Sequence, residues 1–243
     1  MVTVDLDVPA RALAVGAHPD DIEFGCGATF AKWVAAGCEI HHVVCTDGSR
    51  GTWEADEDPA RLVVRREEEQ RAAARVLGGG EVTFLRWPDG ELEAGLRQRW
   101  QVCAAIRRFR PDVVLGHDPW KRYRLHPDHR NAGFLVTDGI VAARDPLFFP
   151  EQALAPHRPA TLLLFEPDDA DHLENVAGHV DTKLAALLEH RSQHRTTMGV
   201  GHAGEEHEAG ISAFRERVLE RLAASGAPAG LVAAEAFKRI DAL

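Results

Sequence analysis

Short apolar runs and helix-period segments alternate along the first two thirds of the chain. The apolar runs fall at residues 11–17, 39–46, 81–85, 112–116 and 161–165, each of a length suited to a buried strand. Between them, residues 26–37, 60–77, 91–109 and 129–143 repeat their apolar positions with a helical period. Strands that alternate with helices predict an α/β domain: a mostly parallel central sheet with helices on both faces. Right-handed crossovers bring the strand ends at 17–21, 46–51, 86–90 and 117–129 to one rim. In open α/β sheets that rim is where ligands bind.

Beyond Phe165 the pattern loosens. Asp168, Asp169 and Asp171 read as a solvated acidic loop. Residues 180–183 read as a short strand running into a helix over 183–193, capped by Asp181 or Thr182. Residues 196–210 are polar and Gly-rich, a loop. Two closing helices are predicted over 211–224 and 230–240, broken by Gly226-Ala227-Pro228. The expected organisation is a main domain over 1–195, with the loop and helices of 196–243 packed on it as a C-terminal helical extension.

The length of 243 residues fits this organisation. A formal net charge of −10 argues against a nucleic-acid partner, since phosphate contacts need a basic surface. No apolar run approaches a membrane span. The N-terminal residues lack the basic and apolar regions of a signal peptide, so a cytoplasmic location is the default. The cysteines Cys26, Cys38, Cys45 and Cys103 form no CxxC pair and read as reduced, buried thiols.

Chemistry gathers at two of the rim segments. Ala17-His18-Pro19-Asp20-Asp21 follows the first long strand, and His126-Pro127-Asp128-His129 follows the fourth. In each cluster the ligand-type side chains stand three residues apart, a spacing that brings them to one point at a turn or on a first helical turn. Two histidines and a carboxylate are a common three-ligand set for catalytic zinc, with the fourth position left to water. Asp20, beside the ligand candidate Asp21, suits a general base. The plainer reading of either motif alone is a turn with a helix N-cap. Asp47 to Trp53 forms another rim loop, in which Arg50 would meet an anionic substituent and Trp53 a sugar face. His117 and Asp118 could orient a ligand from behind. His190 and His194 lack a nearby carboxylate and read as packing or surface residues. Of His41 and His42, one is expected in the core and one at the surface.

The chain resembles the LmbE-like/PIG-L deacetylases, a superfamily that includes GlcNAc-phosphatidylinositol de-N-acetylases and the deacetylases of mycothiol and bacillithiol synthesis. Ala17-His18-Pro19-Asp20-Asp21-Ile22-Glu23 and His126-Pro127-Asp128-His129 carry the resemblance. Phe24-Gly25-Cys26-Gly27-Ala28 and Arg66-Glu67-Glu68-Glu69 ahead of Leu77-Gly78 extend it. It implies a Rossmann-like three-layer fold and a zinc-dependent hydrolase that removes an N-acetyl group from an amino sugar or its conjugate. By motif position His18, Asp21 and His129 would be the metal ligands and Asp20 the base. His126 would sit beside the metal, and Arg66 and Asp89 would hold the substrate. A His₂Asp site also accepts iron(II). The insertion of Ile22 before Glu23 resembles the bacillithiol-type branch. Tyr123 stands near the second motif, but its spacing does not match the tyrosine of mycothiol-type relatives. Related enzymes often form homo-oligomers, though no segment here marks an interface. Two alternatives remain: a metal-dependent amidase acting on a thiol conjugate or antibiotic intermediate, and a non-catalytic nucleotide-binding module. The second lacks a phosphate-loop pattern.

Overall fold

The computed structural model describes residues 2–201 and 204–243. Its sheet is built from β1 (Thr3–Val4), β2 (Arg11–Gly16), β3 (Glu39–Thr46), β4 (Glu81–Trp87), β5 (Val113–His117), β6 (Thr161–Phe165), β7 (His172–Asn175) and β8 (Ala234–Asp241). The strand order is β1-β7-β8-β6-β5-β2-β3-β4. All neighbours run parallel except β8, which is antiparallel to both β6 and β7. The main helices are α1 (Asp21–Ala35), α2 (Pro59–Val76), α3 (Leu96–Phe109), α4 (Pro127–Arg144), α5 (Val180–Leu188) and α6 (Gly204–Gly226). Among the described residues no helix is long and apolar enough to cross a membrane.

Alternate residues of the central strands feed two cores. Leu13 and Val15 of β2 and Leu162 and Leu164 of β6 face α3 and α4, packing with Val102, Ile106, Leu135 and Ile140. Ala12 and Ala14, with Leu163 and Phe165, face α1, α2 and α5 through Ile22, Phe30, Trp33, Leu77 and Ala186. This period of two is why strands buried on both faces read as unbroken apolar runs. A third cluster joins α6 to α1 and α5 through Phe214, Val218, Leu222, Leu184 and Ala28.

The structure corrects several local expectations. The predicted closing helix over 230–240 is instead strand β8. Its Ala, Glu and Lys residues carry no strand preference, and pairing with β6 and β7 overrides local propensity. Glu235 is buried there, accepting from Ala28 N and Thr29 N and pairing with Lys183 Nζ at 2.5 Å. Residues 180–183 are the start of α5 and not a short strand. Helix α1 begins at Asp21, earlier than the apolar period indicates, because it is kinked at Cys26 (φ −148°). Gly25 permits the kinked turn to press on β6: a Cβ there would lie 2.7 Å from the Phe165 ring. The acidic loop expectation ends at β7, which begins at His172.

Both strand histidines are buried, contrary to one core and one surface residue. His41 stacks on Phe109, and His42 stacks on Phe30 with ring centroids 5.4 Å apart. Neither ring nitrogen of His42 has a hydrogen-bond partner among the described residues. Burial pushes the His42 imidazole down to about 4. The folded state therefore refuses a proton that the unfolded chain accepts below its ordinary value of 6.5. The stabilising contribution is present above pH 6.5 and is lost as pH falls towards 4. Over that window the wild type is expected to lose about 3 kcal/mol more unfolding free energy than His42→Leu. Urea midpoints at a series of pH values measure this, and parallel pH profiles for the two proteins would refute it.

Candidate metal centre and active-site cavity

Strands β3 and β4 lie to one side of β2, and β5 and β6 to the other, so the strand order reverses between β2 and β5. Ligands of doubly wound sheets sit at such a switch point. The two sequence motifs emerge there, one into the start of α1 and one into the start of α4. Asp20 occupies the N-cap position of α1 at φ 103°, yet its side chain makes no capping bond. His126 is likewise the N-cap of α4 without a side-chain cap. The turn-and-cap reading therefore does not account for either residue. Asp21 does bind locally: its Oδ2 accepts from His18 N at 2.7 Å.

Donor atoms of three side chains converge, Asp21 through both of its carboxylate oxygens. His18 Nδ1 and His129 Nε2 are 3.2 Å apart, His18 Nδ1 and Asp21 Oδ2 3.4 Å, and His129 Nε2 and Asp21 Oδ1 3.3 Å. Ligands about 2.0–2.1 Å from a tetrahedral zinc ion would be ~3.3 Å from one another. His18, His126 and His129 also bring ligand atoms together, as do Asp21, His117 and His129. The far nitrogen of His18, Nε2, lies 3.1 Å from Asp128 Oδ2 and 3.2 Å from Asp89 Oδ1. Ionised carboxylates only accept, so the proton belongs on Nε2 and the Nδ1 lone pair points to Asp21 and His129. Asp128 is itself fixed by the amides of Gly90 (2.7 Å) and Leu92 (3.1 Å). His117 Nε2 stands 3.1 Å from Asp21 Oδ2, and its Nδ1 faces Arg124 Nη1 at 3.0 Å.

Four buried carboxylates, Asp20, Asp21, Asp89 and Asp128, enclose the cluster. Burial would push the His18 imidazole down, but hydrogen bonds to Asp128, Asp21 and Asp89 outweigh it and hold its pKa well above the ordinary value. Burial would likewise raise Asp21, yet His129 and His117 hold it well below the usual carboxylate range. The two shifts arise from the same neighbours: the carboxylates favour a charged imidazole, and the imidazoles favour a charged carboxylate. Asp20 differs: burial dominates, opposed by Arg66 and reinforced by Asp21, and its carboxyl is pushed up to about 6. His126 is lowered by burial and by the charges of His18 and His129.

The cluster opens into a cavity of about 620 Å³. All the predicted site residues, His18, Asp20, Asp21, Arg50, Arg66, Asp89, His126 and His129, line it. Their commitments differ. Arg66 is buried and donates to Gly48 O (3.0 Å) and Pro19 O (2.7 Å), with Asp20 Oδ2 at 3.7 Å. Arg50 is paired with Glu91, and its backbone N–H donates to Asp89 Oδ2. Trp53 and Tyr123 are exposed and do not line this cavity. His190 is fully buried, and contrary to the expectation of no nearby carboxylate its Nε2 lies 3.3 Å from Glu23 Oε2, a partner distant in sequence. The motifs did not reveal Arg124, Glu166, Gln193 or Thr197. Glu166 lies on the cavity wall between Arg124 (3.1 Å) and Arg221 (2.8 Å). Burial would raise its carboxyl, but Arg221 and Arg124 bring it to about 2.

Known proteins resemble this chain in sequence and fold. The family described as GlcNAc-PI de-N-acetylase (PIG-L) matches residues 13–140. A diacetylchitobiose deacetylase of Thermococcus kodakarensis is 32% identical over 186 residues, covering 75% of this chain and 70% of that enzyme. A 1D-myo-inositol 2-acetamido-2-deoxy-alpha-D-glucopyranoside deacetylase of Mycolicibacterium paratuberculosis is 39% identical over 144 residues. That match spans 49% of this chain and 47% of the mycobacterial enzyme. The solved N,N'-diacetylchitobiose deacetylase of Pyrococcus horikoshii superposes with a TM-score of 0.85 at 26% identity, over 96% of this chain and 84% of that one. Fold and relatives together define an α/β-class enzyme of the LmbE-like deacetylases. The chain belongs to the PIG-L (GlcNAc-PI de-N-acetylase) family.

Proposed function

We propose that the protein hydrolyses the N-acetyl group of an N-acetylglucosamine-type sugar or its conjugate, with a divalent ion, zinc or iron(II), held by His18, Asp21 and His129. The observation that carries this reading is the convergence of His18 Nδ1, His129 Nε2 and the two Asp21 carboxylate oxygens at 3.2–3.4 Å beside an uncapped, buried Asp20. A divalent ion bound there would polarise the amide carbonyl and acidify water. Asp20 accepts the proton of the attacking water, its carboxyl being uncommitted to the helix end. His126, whose ring centroid is 4.6 Å from that of His18, stands to donate a hydrogen bond to the oxyanion or a proton to the departing amine. Asp89 and Asp128 hold the His18 ring in the tautomer that leaves Nδ1 free. Arg66 keeps the Gly48 loop against the first motif, and Arg50 at the cavity mouth faces the sugar's substituents.

Acetate release should be measured from N-acetylglucosamine, N,N'-diacetylchitobiose and the N-acetylglucosaminide of myo-inositol. The expected result is turnover of at least one, abolished by a chelator and restored by zinc or iron(II). Metal binding without acetate from any of them would transfer the site to another amide. Turnover that survives complete metal removal would overturn the reading.

A further inference from the structure

The Pro19–Asp20 peptide group is gripped at both of its polar ends by one face of α2. Arg66 Nη2 donates to the carbonyl of Pro19 at 2.7 Å, and Gln70 Oε1 accepts from the N–H of Asp20 at 2.9 Å. These residues stand four apart, so they lie one above the other on the helix. Asp20 has φ 103°, a left-handed conformation that a non-glycine residue holds only when its surroundings enforce it. Gln70 is in turn fixed from behind. Its Nε2 donates to Glu23 Oε1 at 2.7 Å, and Glu23 Oε2 faces His190 Nε2 at 3.3 Å. Gln70, Glu23 and His190 are all fully buried, away from the cavity wall. Asp20 N–H donates to Gln70 Oε1 and the Gln70 amide donates to Glu23 Oε1, while the other oxygen of Glu23 faces the His190 ring without a hydrogen bond.

We propose that Gln70, backed by Glu23 and His190, is a positioning residue for the base: it fixes the Pro19–Asp20 peptide plane and with it the direction of the Asp20 carboxyl. This rests on the reading of Asp20 as the base. Without the Gln70 acceptor the peptide is held at its carbonyl end only, by Arg66, so the plane can tilt, Asp20 leaves its left-handed conformation, and the carboxylate moves from the water it must deprotonate. No substrate contact and no ligand side chain is removed, so the loss falls chiefly on kcat.

The test compares Gln70→Met, Gln70→Glu, Glu23→Gln and the exchanged pair Gln70→Glu/Glu23→Gln, each with its full metal complement. Gln70→Met is expected to lower kcat by about 10–100-fold, with KM and metal stoichiometry near wild type. The exchanged pair restores the hydrogen-bond order, since a carboxylate at position 70 would accept from both Asp20 N–H and the new amide at position 23. It should recover most of the kcat that each single change loses. Combined with Asp20→Asn, Gln70→Met should cost no further rate. Crystal structures give a readout apart from turnover: Asp20 should leave φ near 103° in Gln70→Met and keep it in the exchanged pair. A folded Gln70→Met with wild-type kcat, or with Asp20 unmoved, overturns the proposal. An exchanged pair no better than its single changes does so too, including when Gln70→Met fails to fold. A failure of the base reading is separate: it appears as an active Asp20→Asn.

Discussion

Asp20→Asn is expected to lose about 10²–10⁴-fold in kcat while keeping its fold and its metal. The substitution changes one oxygen to an amide nitrogen and little else. Asparagine tolerates a left-handed backbone as aspartate does, so φ 103° is not lost. The Asp20 backbone N–H would still donate to Gln70. What disappears is the ability to accept a proton. The side chain makes no capping bond in the folded protein, so its removal exposes no helix end. Steady-state kinetics on whichever acetylated sugar is turned over, with metal content measured on the same preparation, decide the matter. A fully metallated Asp20→Asn enzyme at near wild-type rate would remove Asp20 from the mechanism.

The second large effect concerns the metal itself. His129→Ala removes one of the three donor side chains, leaving His18 Nδ1 and Asp21 Oδ2 3.4 Å apart. Two protein ligands hold a divalent ion far less well than three, and the variant is expected to emerge from chelator treatment without metal that the wild type retains or regains. Asp89→Asn provides the graded comparison. Asp89 approaches His18 Nε2 at 3.2 Å, on the side away from the other donors, so its loss disturbs a ligand's tautomer without removing the ligand. A partner of that kind typically governs about 10–100-fold in metal affinity. The expected order of affinity is wild type, Asp89→Asn, then His129→Ala, read by competition with a chromophoric chelator. Equal affinity in His129→Ala and wild type would place the ion elsewhere.

Much of this architecture was legible in the chain. The apolar runs at 11–17 and 112–116 announce two central strands, and His18, Asp21 and His129 follow them. What escaped was whatever depends on partners distant in sequence. Asp89 reads as a rim residue from its loop, but only the packing of β4 beside β3 brings it within reach of His18. Strand β8 has helix-forming residues and acquires its conformation from β6 and β7, far earlier in the chain. Gln70, Arg124 and Glu166 belong to no motif and gain meaning only from what surrounds them. The paired histidines of β3 could have been placed correctly: a strand between two parallel neighbours is covered on both faces, so neither residue has a route to solvent.

The position of β8 between β6 and β7 also sets a schedule for the growing polypeptide. Synthesis proceeds from the N-terminus, so β2 to β6 can assemble while residues 234–241 have yet to emerge. Throughout that interval β6, Thr161-Leu162-Leu163-Leu164-Phe165, carries an open edge of unpaired amides and carbonyls along an apolar, uncharged strand. Such an edge is a template for foreign strands. Aggregation should therefore be greatest for released, truncated chains that end between Phe165 and Ala234, and should fall once the strand at 234–241 is present to cover β6.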